Sequence, residues 1–104
     1  MTDDAPQRFH VTLEPEGAAL RIVVSGELDI ATVPELQRHV SSDGTAEAVA
    51  LDLTGVTFID STGLRLLLET YRTIGDRLQI VPSAACERLF DIAGVRDHLP
   101  LVKT

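Results

Sequence analysis

At 104 residues, 44% of them hydrophobic, the chain has the length of one domain and the apolar content of one core. Aromatic residues make up 4% and Trp is absent, which leaves little surface for stacking nucleic-acid bases, and the formal net charge of −7 opposes a phosphate backbone while suiting a basic protein surface. No apolar run reaches bilayer length, no charged-then-apolar leader opens the chain, and the single Cys86 has no internal disulfide partner; a protein of the reducing cytoplasm is expected, without export or membrane insertion.

In chain order, Met1 to Gln7 is polar and expected to be loose. Phe9 to Leu13 reads as a strand, Pro15-Glu16-Gly17 as a turn and Leu20 to Val24 as a second strand, together a hairpin. Gly26-Glu27-Leu28-Asp29 leads into a helix whose start is marked by Thr32 with Glu35 three residues on, a capping-box pattern with Pro34 in the first turn; Leu36 and Val40 form its inward face. The polar segment Ser41 to Thr45 separates this helix from a strand over Val49 to Leu53, followed by a predicted turn at Thr54-Gly55-Val56. Leu64, Leu67, Leu68 and Tyr71 fall at helical spacing, so a second helix with Leu64, Leu67 and Leu68 in the core is expected, capped by Asp60, Ser61 or Thr62. Leu78 to Val81 is a further short strand. Pro82-Ser83 introduces a third helix carrying Leu89, Phe90 and Ala93, which Gly94 ends, and His98 to Val102 is a last strand or an extended tail. Strands alternating with helices after an antiparallel hairpin imply an α/β fold: a small mixed sheet with parallel strands, covered by about three to four helices.

The segment Phe58-Ile59-Asp60-Ser61-Thr62-Gly63-Leu64 places two hydroxyls where an apolar strand turns into an apolar-faced helix. A hydroxyl there caps the helix, or, since free N–H groups and the helix dipole favour an anion, accepts a phosphate; the two roles are compatible. Other chemistry finds less support. Asp60-Ser61-Thr62-Gly63 is close to the Asp-Ser/Thr-Gly triplet of aspartic proteases, but that triplet sits in a loop between strands and Leu64 to Tyr71 is strongly helical. No Gly-x-Ser-x-Gly elbow surrounds Ser61, His10, His39 and His98 are scattered, and neither a Gly-x-x-x-x-Gly-Lys loop nor Cys/His metal spacing occurs, so no catalytic residue, metal or cofactor is expected. Gly17, Gly26, Gly55, Gly63, Gly75 and Gly94 read as turn or cap residues, and Cys86 as a small apolar residue.

Gly26-Glu27-Leu28-Asp29 before the Thr32 helix, Leu51-Asp52-Leu53 before the Asp60-Ser61-Thr62-Gly63-Leu64 segment, and Ser83 to Gly94, in that order, resemble the STAS domain of bacterial anti-sigma factor antagonists. The likeness runs from about Phe9 to about Leu101 and is most specific at Asp60 to Leu64. By resemblance Ser61 is the residue phosphorylated by an anti-sigma factor with a serine kinase domain. The unphosphorylated antagonist binds that partner and frees the sigma factor; the phosphorylated form lets go, and a serine phosphatase resets it. The partner surface this implies holds Asp29, Asp60, Ser61, Thr62, Gly63 and Arg65, with Glu69 and Arg72 further along the helix. Thr62 is a second acceptor, ranked below Ser61 because capping is its expected role. Arg65 departs from the pattern, standing where many phosphorylated relatives have a small residue; four positions after Ser61, it could pair with a phosphate or with Asp60, or face solvent. The resemblance leaves open a scaffold or accessory subunit of a stress-signalling or lipid-transport complex, not controlled through Ser61.

Overall fold

The computed structural model describes residues 9–42 and 46–102. The polar start at Met1 to Gln7 lies outside these residues, as do positions 43–45 of the Ser41 to Thr45 segment. Strand β1 (His10–Glu16) turns at Gly17, whose φ of 64° is cheap only for glycine, into β2 (Ala19–Leu28), and the two pair antiparallel as the expected hairpin. Then follow α1 (Val33–Ser42), β3 (Ala48–Ile59), α2 (Ser61–Ile74), β4 (Leu78–Val81) and α3 (Ala84–Ala93), with short 3-10 turns at Gly75–Arg77 and Arg96–His98. Sheet order is β1-β2-β3-β4, with β2 to β3 and β3 to β4 parallel.

Each parallel step crosses over through one helix and moves the same way across the sheet. After α3, Leu101 forms a parallel bridge with Ile80 beyond β4, so the segment expected as a strand or tail begins with a 3-10 turn and ends as an extended edge contact. Successive right-handed crossovers in one direction put α1, α2 and α3 on the same face of the sheet. Burial agrees: along β2, Leu20, Ile22, Val24, Gly26 and Leu28 are buried and the residues between them half-exposed. The core is one cluster, in which Phe90 and Cys86 of α3 join Leu36 of α1, Leu67 of α2, Leu51 and Leu53 of β3 and Ile80 of β4. Burial raises the pKa of the Cys86 thiol, in keeping with an apolar packing role.

Three local expectations are corrected. Thr54-Gly55-Val56 is not a turn: β3 runs through it, with register shifts against β2 between Val23 and Ser25 and between Gly26 and Glu27. Each shift inserts an extra residue into β3, a bulge that changes which side chains face the core, so Val56 and Ile59 are buried. A Cβ on Gly55 would lie 2.9 Å from the Ser25 Cβ, so the glycine permits this close passage. At the start of α1, Thr32 does not form the capping box with Glu35: its Oγ1 donates to the Glu27 carbonyl at 2.7 Å and accepts from the Asp29 N–H at 2.9 Å. Asp29 holds the turn ahead of the helix, its Oδ1 accepting from the N–H groups of Ala31 (3.0 Å) and Thr32 (3.2 Å). On α2, Leu64 and Leu67 are buried as expected, but Leu68 is half-buried and Leu66 and Thr70 are buried instead. The helix packs beside α1 as well as on the sheet, which widens its buried arc.

Candidate functional site

Parallel strands β2 and β3 end together, Leu28 opposite Ile59, and the chain leaves that edge through two short turns into α1 and α2. Asp60 caps α2: its backbone is extended, and its Oδ1 accepts from the Gly63 N–H at 3.0 Å. Its other oxygen, Oδ2, accepts from the Ile30 N–H at 3.3 Å, and its own N–H donates to the Leu28 carbonyl at 3.3 Å. One carboxylate thus joins the start of α2 to the turn that leads into α1, and the loops carrying Asp29 and Ser61 lie side by side at this edge.

The capping role considered for Thr62 belongs to Asp60. Thr62 is half-buried and lines a recess of about 190 Å³ with Arg65 and Glu69 of α2 and Val33 and Gln37 of α1. Gly63, placed on the partner surface by the resemblance, is buried: a Cβ there would lie 2.9 Å from both Ile59 Cγ1 and the Leu28 carbonyl oxygen. It serves the site by letting the first turn of α2 dock against the strand ends. Arg65 is exposed and does not pair with Asp60, whose two oxygens are taken by backbone N–H groups. Glu69 and Arg72 lie further along α2, both exposed, Glu69 at the recess shared with α1.

Ser61 is the first residue of α2 and is exposed, and its hydroxyl hydrogen-bonds to no described residue. Gly63 and Leu64 direct their N–H groups to Asp60, leaving those of Ser61 and Thr62 without an acceptor among the described residues. A free hydroxyl, two free N–H groups and the positive end of a 14-residue helix therefore coincide. Two residues that sequence reasoning passed over stand here too. Ile30, 73% exposed, is in the Asp29 turn, and Phe58, 49% exposed, is three residues before Ser61. Nothing local in the sequence showed that the first sits exposed on a turn and the second beside a bulge.

His10, His39 and His98 belong to β1, α1 and the turn after α3, and among the described residues no three His, Cys, Asp or Glu side chains gather as a metal site. No helix among the described residues is long and apolar enough to cross a membrane.

A mixed four-stranded sheet, antiparallel at its first pair and parallel after it, with three helices and a helix starting at the Asp60-Ser61 turn, is the STAS type of fold. The family model described as "Mlab, STAS domain" matches residues 11–103, and the chain belongs to the STAS domain family. It is 39% identical over 83 residues to an anti-sigma-B factor antagonist of Staphylococcus epidermidis, covering 73% of this chain and 76% of that one. Among solved structures it is similar to an anti-sigma factor antagonist from Mycobacterium paratuberculosis, with a TM-score of 0.85 and 28% identity over 96% of this chain and 90% of the other. SpoIIAA of Bacillus in its unphosphorylated form shares the fold, with a TM-score of 0.73 at 20% identity, over 91% of this chain and 88% of that one.

Proposed function

We propose that this protein is an anti-sigma factor antagonist that binds a kinase-type anti-sigma factor when unphosphorylated and is released when that partner phosphorylates Ser61, a serine phosphatase restoring the binding form. In this reading it is a substrate of enzymes rather than an enzyme. The observation that carries the proposal is the division of labour at the start of α2: Asp60 caps the helix, so the exposed Ser61 hydroxyl has no structural duty there. The antagonists among its relatives point to the same role.

Phosphorylation adds between one and two negative charges, beside Asp60 and on a chain of net charge −7. In the free protein the N–H groups of Ser61 and Thr62 and the helix dipole receive that charge, and Arg65, four residues on, supplies a cation. Against a docked partner the same charge is buried without compensation or opposed, and about 2.7 kcal/mol of lost binding is a hundredfold weaker complex. The switch needs a change of surface and no refolding.

The partner that co-purifies with the Ser61→Ala chain from its own cells supplies the test. By titration calorimetry the wild-type and Ser61→Ala chains should bind it alike, and Ser61→Asp at least about a hundredfold more weakly. Normal binding by Ser61→Asp, with Ser61 unmodified in cells under every condition, defeats the proposal in favour of a STAS scaffold or accessory subunit.

A further inference from the structure

Resting on the antagonist reading, we infer that Ile30 and Phe58 are the apolar anchors of the partner interface, and that the partner meets them with an apolar pocket rimmed by Arg or Lys side chains. Four large hydrophobic side chains are exposed among the described residues: Leu13 (44%), Ile30 (73%), Phe58 (49%) and Ile92 (77%). A single exposed apolar residue needs no explanation, and Leu13 on β1 and Ile92 on α3 are of that kind. Ile30 and Phe58 differ because both stand at the edge that presents Ser61. Phe58 lies opposite Glu27 in the β2–β3 register, one step before the strand ends, and Ile30 is two residues beyond the end of β2.

The turn that exposes Ile30 is built to hold still. Its N–H donates to Asp60 Oδ2, the N–H groups on its C-terminal side are bound by Asp29 Oδ1, and Thr32 Oγ1 ties the turn back to the Glu27 carbonyl. A side chain presented on an immobilised turn loses little freedom on docking, which is what an interface anchor requires. Asp60 sets the distance between this anchor and the switch, since the carboxylate that receives the Ile30 N–H belongs to the residue before Ser61.

Charge specifies the other side. Glu27 stands opposite Phe58 in the register, Asp29 precedes Ile30 and Asp60 accepts the Ile30 N–H, so three acidic residues share this edge with the two apolar ones, whereas the nearby Arg65 lies toward α1 in the recess with Val33 and Gln37. An apolar centre with an acidic rim is complementary to a partner that is apolar in the middle and basic around it. A phosphate on Ser61 would add its charge at this same edge, against the docked partner.

The experiment is an alanine series titrated against the purified partner, with Ser61→Asp alongside and thermal unfolding as the folding control. Ile30→Ala and Phe58→Ala should each weaken binding at least about tenfold, and Leu13→Ala and Ile92→Ala by less than about twofold. The wild-type association rate should fall at least about tenfold between roughly 50 and 500 mM NaCl. If Phe58→Ala lowers stability, Ile30→Ala decides alone, since its side chain is exposed. Normal binding by Ile30→Ala, while Ser61→Asp abolishes binding, overturns the anchors and spares the switch. Weak binding by Ile30→Ala with normal binding by Ser61→Asp upholds the anchors and removes the switch. A salt-independent association rate overturns the basic rim. A dimer in sedimentation velocity that Ile30→Ala dissociates assigns the patch to a second copy of the chain and overturns the proposal.

Discussion

Gly63 sits where an added methyl group would meet the Leu28 carbonyl oxygen and the Ile59 side chain at 2.9 Å, and one of those neighbours is backbone that cannot rotate away. Gly63→Ala should therefore cost roughly 1–3 kcal/mol, a fall in melting temperature of about 4–8 °C per kcal/mol, read by thermal unfolding. A glycine needed only as a partner contact would show no such loss. Asp60 allows a finer separation: Asp60→Ala should lose about 1 kcal/mol of capping, whereas Asp60→Asn keeps one acceptor for Gly63 and gives up the second, so amide exchange at Ile30 should accelerate with little change in stability. No local pattern pointed to Asp52, which is buried on β3, paired with Arg21 of β2 and hydrogen-bonded by the Thr54 N–H at 3.0 Å and the Thr54 Oγ1 at 2.7 Å. Burial raises its pKa, but the Thr54 hydrogen bonds and the Arg21 guanidinium together outweigh that and hold it below the ordinary carboxylate value. Because the folded carboxyl binds its proton less readily than the unfolded one, its stabilisation is present above the unfolded pKa of about 3.9 and is lost as pH falls through the lower folded value. Chemical denaturation between neutral pH and pH values below the folded pKa should show a shallower acid limb for Asp52→Asn than for wild type.

Among the elements, α2 bears the most on function, because its first turn is the candidate switch and its next two turns are core. Leu66 and Leu67 are buried, so alanine at either should cost about 2–5 kcal/mol without altering which partner is chosen by the correctly folded fraction. Charge at the first helical position should act oppositely. A phosphate or a carboxylate there interacts favourably with the dipole by about 0.3–1 kcal/mol, so Ser61→Asp should melt no lower than wild type while losing its partner; scanning calorimetry and titration on the same sample check both. Helix α1 shows how far a local pattern carries. Thr32 and Glu35 have capping-box spacing, yet the Thr32 hydroxyl does not cap the helix, because the turn from β2, held by Asp29, brings the Glu27 carbonyl within its reach. That carbonyl became available through the way the strand ends, which a window of a few residues does not contain.

Across the whole molecule, three crossovers in one direction place the helices on one face and gather the loops that matter at the ends of β2 and β3. That arrangement brings residues some thirty positions apart, Ile30 and Asp60, into hydrogen-bond contact. The net charge of −7 acts at this scale as well: self-repulsion is screened by salt, so the melting temperature should rise by a few degrees on adding NaCl while the partner complex weakens, opposite responses that unfolding and binding measurements can separate.

The order of strands and helices, the hairpin, the apolar stripe of α2 and the Asp60-Ser61 turn were legible in the chain itself, because hydrophobic period and turn chemistry are local properties. So was Ser61 as the residue to test. Only the tertiary structure decided that Asp60 caps α2 and that the Thr32 hydroxyl turns back to Glu27, that Gly63 packs inward, that β3 carries bulges where a turn was expected, and that Ile30 and Phe58 face outward. Each of these depends on a neighbour distant in sequence: Leu28 beneath Gly63, Ser25 beside Gly55, Asp60 beside Ile30. Local pattern specifies what an element is, whereas the exposure and hydrogen-bond partners of its end residues are set by the element packed against it.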